Sequence, residues 1–307
     1  MYDVITVGSA TIDVFAKTDR KLIKKDCYCF PMNGKVLIDN LEIHTGGGGT
    51  NVAFGLAKFG LKTAFLGKFG CKDNSQRIIK KLNSANVACL VSCEKNARTA
   101  FSIIIDAPGK DRTILVFKGS ANNLRYDEIE KYNLNAKWFY FCSMTGDSYG
   151  TLVKLAKFAE EKKISIAFNP SSYMIKKYNL KPILARTNVL IFNRDEARML
   201  TGEKDLGKIM KAIYKMGPRG IVITDGPNKI HAYDGDRVYT LRPKKVTKII
   251  ETTGAGDAFG AGFLAGLIKT NDFRKALKIG NMNSEGCISQ VGAKEGLLSW
   301  KDVKNKI

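Results

Sequence analysis

Between about residue 63 and residue 235 the chain alternates short β-branched or aromatic runs with stretches of helical periodicity, and few architectures accommodate that rhythm. Thr63–Gly67 reads as a strand followed by a helix at Ser75–Leu82, Trp138–Ser143 is followed by Tyr149–Lys162, and Val189–Phe192 by Asp195–Thr201. Asn86–Cys93, Ser165–Phe168 and Gly220–Thr224 read as further strands, the last running into a turn at Asp225-Gly226. Strands that return through a helix pair side by side in one direction, so the expected class is α/β, with a central, mostly parallel sheet. Asp3–Val7 reads as another strand, ending at Gly8-Ser9-Ala10, with Asp13 five residues after the glycine. Ligands of open α/β sheets bind beyond the carboxyl ends of the strands. Asp13 is therefore either a ligand-binding carboxylate or an ordinary turn residue.

Two segments break the rhythm. Residues 14–44 contain a partly alternating run, Val36–Ile43, and no helix pattern. Thr99–Ile105 and Arg112–Phe117 form a second strand pair, joined by the turn-forming Pro108-Gly109-Lys110-Asp111. We expect these insertions, at about 14–44 and 96–120, to build a small β-sheet lid on a single domain spanning residues 1–307. The side chains of Phe15, Phe101 and Ile103 either face a ligand from that lid or pack it.

The bulk properties mainly exclude. No apolar run approaches the ~18 residues that span a bilayer, and Met1–Gly8 reads as a strand and not as a signal peptide. Seven cysteines (27, 29, 71, 89, 93, 142 and 287) include no Cys-x-x-Cys, and only His44 and His231 accompany them. Neither a disulfide scaffold nor a zinc site is expected; reduced thiols and a cytoplasmic location fit the pattern. The 50 Lys+Arg against 29 Asp+Glu give a net charge of +21. Such a field attracts nucleotides or nucleic acid. The cations are dispersed, however, and interrupted by apolar residues at helical spacing, as on ordinary solvated faces.

Two glycine-rich turns carry the chemistry. The strand-like Lys245–Ile250 feeds Glu251-Thr252-Thr253-Gly254-Ala255-Gly256-Asp257, and a small-residue helix follows at about Ala258–Ile268. Glycines there bring bare amides to a ligand, and the helix start adds unpaired N–H groups and a positive dipole end. Asp257 could serve only as a dipole partner for that helix, but caps do not require the flanking glycines; a general base beside an oxyanion-stabilising turn accounts for both. The other turn, Thr45-Gly46-Gly47-Gly48-Gly49-Thr50-Asn51, runs into a helix at Val52–Phe59 closed by Gly60. Four consecutive glycines cost backbone entropy and suit a hinge or a close approach to a ligand. Asn51 either caps that helix or bonds a substrate hydroxyl. Elsewhere, Asn193 and Glu196 have capping-box spacing, and Glu196 is also a candidate for holding hydrated Mg²⁺.

No Gly-x-x-x-x-Gly-Lys-Ser/Thr occurs, and Gly254-x-Gly256-x-x-Phe259 fails the dinucleotide fingerprint. The two turns do resemble the signatures of the ribokinase-like carbohydrate kinases, the PfkB family. Gly46-Gly47-Gly48-Gly49-Thr50-Asn51-Val52-Ala53 with Gly60 and Gly70 is similar to the N-terminal signature, and Thr252–Asp257 to the C-terminal one. The resemblance implies a ribokinase-like three-layer α/β/α fold with a β lid, cytoplasmic, dimerising through that lid. It implies ATP-dependent phosphorylation of a primary hydroxyl of a sugar or sugar derivative, or alternatively of a nucleoside. Asp257 would be the base, with the Gly254, Ala255 and Gly256 amides stabilising the transferring phosphoryl group. Asp13, Gly47, Gly48 and Asn51 would hold the substrate; Asn193, Thr224, Gly226 and Asn281 would line the ATP site; Glu196 would order Mg²⁺, in part through water. Where the family usually has Asp before Thr-Thr-Gly-Ala-Gly-Asp this chain has Glu251, which leaves a supporting K⁺ ion open. A nucleic-acid-binding protein is the cross-class alternative, resting on charge alone.

Overall fold

The strand-like runs of the sequence come together side by side. The computed structural model describes residues 1–307 apart from 26, 72, 107–111 and 245–248. Its first part runs β1 (Tyr2–Val7), β2 (Thr11–Lys17), β3 (Ile23–Lys24), β4 (Cys27–Tyr28), β5 (Asn40–Gly46), α1 (Gly48–Lys58), β6 (Thr63–Gly70), α2 (Asp73–Asn83), β7 (Ala88–Glu94), β8 (Ala100–Asp106) and β9 (Thr113–Phe117). There follow β10 (Ala136–Cys142), α3 (Asp147–Glu161), β11 (Ser165–Asn169), α4 (Ser172–Lys177), α5 (Lys181–Leu184), β12 (Val189–Asn193), α6 (Arg194–Thr201), α7 (Leu206–Met216) and β13 (Gly220–Thr224). The last are β14 (Ile230–Tyr233), β15 (Val238–Leu241), α8 (Ala255–Thr270), α9 (Phe273–Ile288) and α10 (Trp300–Val303).

A nine-stranded sheet has the order β15-β14-β13-β12-β11-β10-β1-β6-β7. From β7 to β13 every pairing is parallel; β14 and β15 add an antiparallel edge. The side-chain period of two then sorts residues into layers. On β10, Phe139 and Phe141 enter one core with Leu152 and Leu155 of α3, whereas Tyr140 and Cys142 enter the other with Val52 and Leu56 of α1 and Phe259 and Phe263 of α8. Each such buried side chain stabilises the fold by roughly 1.5–3 kcal/mol. The result is a helix–sheet–helix sandwich.

A second, four-stranded sheet has the order β5-β2-β8-β9. Val14 pairs with Ile43 and Ile103, and Ile103 with Leu115, so these four share a face with Phe101 and Phe117. Asp13, Phe15 and His44 lie on the opposite face. On that shared face, turned away from Asp13, Phe101 packs toward α2 with Ile12 and Val14, and Ile103 is left exposed.

Several expectations need correction. Helix α1 begins at Gly48, inside the glycine run and before Val52. The strand expected from Val36 begins at Asn40. The edge strands β14 and β15 run antiparallel, which the strand–helix rhythm does not indicate. The turn Pro108–Asp111 and most of the strand-like run Lys245–Ile250 lie outside the described residues. No disulfide was expected, yet Cys71 and Cys93, with Cα atoms 5.3 Å apart, are placed as a disulfide pair. Adjacent β6 and β7 bring them together, which their separation of 22 residues does not reveal.

Candidate active site

Helices α1 and α8 both start in glycine turns. Gly47, at the N-cap of α1, has φ 93°, and Gly254, at the N-cap of α8, has φ 82°. That left-handed backbone costs a side-chain-bearing residue about 1–2 kcal/mol. A Cβ on Gly254 would also come within 2.3 Å of the Ala293 Cβ. Because α8 begins at Ala255, residues 255–257 occupy its first turn, where amides lack intrahelical partners and the dipole favours an anion.

The two helix starts meet. Asn51 donates from Nδ2 to Asp257 Oδ2 at 2.8 Å. Its Oδ1 accepts from Lys294 Nζ at 2.5 Å, and the same ammonium donates to the Thr45 carbonyl at 2.8 Å. Asn51, Lys294 and Asp13 are 5%, 4% and 6% exposed. Burial raises the Asp257 pKa from its ordinary value; the Asn51 hydrogen bond and Lys294 partly offset this, and Asp13 adds to it. Burial drives Lys294 the other way, down to about 7, against the pull of Asp13 and Asp257.

Two concavities flank the α8 turn. Asp257 lines a cavity of about 210 Å³ with Ser9, Gly48, Cys142, Ser143, Asn169, Ser171 and Tyr173. Thr252 and Ala255 line a cleft of about 940 Å³, together with Gly226, Asn281, Arg194, Lys229, Arg242 and Lys244. One turn is thus the shared wall of a small polar chamber and a large cationic cleft. Such an arrangement can hold two reactants whose reacting ends meet at the head of α8.

The remaining expected residues sit as follows. Asn193 and Glu196 form the capping box: Asn193 Oδ1 accepts from the Glu196 amide at 2.8 Å, and Glu196 Oε2 accepts from the Asn193 amide at 3.0 Å. The Ser172 amide also bonds Glu196, whose pKa burial raises; Ser171 and Tyr173 on either side line the small cavity. Among the described residues no group of three or more His, Cys, Asp or Glu is arranged to hold a metal ion. The donor set fits only a largely hydrated Mg²⁺ held in part by ligand phosphates. Thr224 ends β13, its hydroxyl 3.5 Å from the Phe192 carbonyl, and Asn281 donates to Glu285 Oε1 at 2.7 Å.

Glu251 is 9% exposed, and its Oε1 accepts from the Thr253 amide and hydroxyl, each at 2.8 Å. Arg112, at the base of β9, places Nη1 3.4 Å from the same oxygen and donates to Thr252 Oγ1. Its Nε is buried with no partner among the described residues. Neither Arg112 nor Lys294 stands out in the sequence, being two among 50 basic residues. Only the chain's return past the glycine turns singles them out.

The model of the pfkB family carbohydrate kinases matches residues 1–300. The chain belongs to the PfkB family. As a PfkB kinase it is a phosphotransferase with an alcohol group as acceptor, among sugar and nucleoside kinases. It is 31% identical to an uncharacterized sugar kinase of Archaeoglobus fulgidus, over 79% of this chain and 98% of that one. It is 27% identical to the nucleoside kinase of Methanocaldococcus jannaschii, over 100% of this chain and 97% of the relative. Among solved structures, Arabidopsis thaliana ribokinase complexed with ribose and ATP superposes with a TM-score of 0.82 at 19% identity, covering 99% and 98% of the two chains. At that identity the likeness speaks for the ribokinase fold alone. No helix among the described residues is long and apolar enough to cross a membrane.

Proposed function

We propose that this PfkB kinase transfers the γ-phosphoryl group of ATP to a primary hydroxyl of a sugar or sugar derivative, with Asp257 as general base. The observation that carries the reading is the shared wall: Asp257 faces the small cavity while Ala255 and Thr252 of the same turn face the cationic cleft. ATP lies in the cleft, its triphosphate drawn by Arg194, Lys229, Arg242 and Lys244. The acceptor lies over Gly47 and Gly48, its hydroxyls bonded by Asp13 and Asn51. Asp257 takes the proton of the attacking hydroxyl, and the Gly254–Gly256 amides meet the charge that builds on the phosphoryl oxygens. Glu196 would help hold a hydrated Mg²⁺, which would supply charge neutralisation of the phosphates. Arg112, hydrogen-bonded to Thr252, adds a further positive charge beside the turn.

A nucleoside acceptor is the second reading, and one aromatic pair favours it. Phe15 meets His44 edge-on, centroids 5.5 Å apart, on the Asp13 face of the small sheet. Rings at that position would receive a base stacked above a ribose held by Asp13. ATP turnover measured against sugars, sugar acids and nucleosides decides between the two. Asp257→Asn is the control: we expect turnover to fall by roughly 10²–10⁴-fold, with ATP binding and thermal midpoint nearly unchanged. Near-normal kcat in that variant overturns the base assignment.

A further inference from the structure

A buried ammonium is costly unless it is paired, and Lys294 is 4% exposed. It lies beyond α9, in the segment between Gly292 and Gly296, both with positive φ. Two hydrogen bonds meet it, to the Thr45 carbonyl and to Asn51 Oδ1. An ammonium only donates, so it fixes the Asn51 amide with oxygen toward Lys294 and nitrogen toward Asp257. With the amide turned over, donor would face donor at Lys294 and acceptor would face acceptor at Asp257. The charge is relayed as well: the cation polarises the amide whose N–H meets the carboxylate.

We infer that Lys294 is a positioning residue which, through Asn51, sets the direction and ionisation of the Asp257 carboxylate toward the acceptor cavity. The inference rests on the reading of Asp257 as base. Lys294 itself lines neither the cleft nor that cavity and touches no reacting atom.

The charged groups facing Lys294 come from several elements: Asp13 of β2, Asp257 of α8, Lys81 of α2 and the adjoining Glu295. The His44 ring of β5 packs on Gly292 of the same segment. The pairing of anionic Asp257 with cationic Lys294 therefore exists only within a pH window. Below it the carboxyl holds its proton; above it the ammonium has released one.

The test is the pH profile of kcat/KM, which reports the free enzyme. The wild type is expected to give a bell. Lys294→Met should lose roughly 10²-fold in activity, lack the basic limb, and carry its acid limb about one pH unit higher, the uncompensated carboxyl holding its proton longer. Lys294→Arg, whose charge does not titrate in this range, should keep the acid limb near the wild-type position and lack the basic limb. Asn51→Ala combined with Lys294→Met should be no worse than the more impaired single variant, because one acts through the other. Wild-type limbs in Lys294→Met, or losses that multiply in the double variant, overturn the inference. If Lys294→Met fails to fold, the limbs of Lys294→Arg decide alone. Active Asp257→Asn would sink the base reading itself, whereas an inactive Asp257→Asn beside an unshifted Lys294→Met profile would sink only the role of Lys294.

Discussion

Asn51 and Asp257, 206 residues apart in sequence, are joined by a 2.8 Å hydrogen bond between the first turns of two packed helices. One partner belongs to the turn that would hold the acceptor, the other to the turn that would meet the phosphoryl group. A single bond thus registers the two half-sites against each other.

Arg112 and Glu251 decide what neutralises charge beside the α8 turn. Where a free carboxylate would recruit a monovalent cation, Glu251 has an arginine. We expect turnover to be unchanged when K⁺ is replaced by tetramethylammonium at equal ionic strength. Arg112→Ala should lower kcat/KM for ATP by roughly 10²-fold and make the remaining activity respond to K⁺. Titration of both proteins with KCl checks it; strong K⁺ activation of the wild type contradicts it.

Gly254→Ala tests the turn itself. The left-handed backbone costs about 1–2 kcal/mol, and the new methyl meets Ala293. We expect the thermal midpoint to fall by a few degrees, about 1.5 °C per kcal/mol for a chain of this size. The drop in kcat should exceed what lost folded protein explains, since the amides move with the turn. Equal fractional losses of folded protein and activity would refute that.

Stability should depend on pH through Lys294, and the sign is fixed by its pKa. The folded value is lowered to about 7 from 10.5, so between those limits the unfolded chain binds more protons than the native one. Stability from this group therefore rises with pH across that window, by at most about 1.4 kcal/mol per unit. Lys294→Met removes the contribution. Urea midpoints at pH 7 and 9 should differ less in the variant than in the wild type, and an equal difference would show that the native Lys294 is not destabilised as a cation.

The outer face of the small sheet exposes Leu41, Ile43, Ile103, Leu115 and Phe117, at 52%, 39%, 36%, 53% and 53%. We propose that a second copy covers it, giving a homodimer. Leu115→Glu with Phe117→Lys should shift sedimentation at micromolar concentration from dimer to monomer. A wild-type monomer at that concentration would end the proposal.

The fold was legible where the signals are local. Strand–helix alternation, the glycines at 254 and 256 and the capping pair Asn193–Glu196 each declare themselves within a few residues. Glycine disfavours helix interiors, so the sequence points to a start of α1 at Val52, whereas burial of Gly49–Leu56 overrides that preference and the helix begins at Gly48. Composition does not tell Phe15 from Phe101 and Ile103, but strand register puts the latter two on the face opposite to it. Lys294, Arg112 and the Cys71–Cys93 pairing depend on where distant segments return, and no spacing announces them. The cationic cleft gives part of the large positive charge a location that composition could not.

Helices α1 and α8 cross at small residues: a methyl on Gly55 would stand 2.8 Å from that of Ala261. The gap between these helices sets the span of the Asn51–Asp257 bond, a full turn or more away from the crossing. Exchanging either residue for a bulkier one would pry the half-sites apart without altering any group that meets a reactant. The tempo of this kinase is therefore open to adjustment from inside its scaffold, by changes in girth at a place no substrate ever reaches.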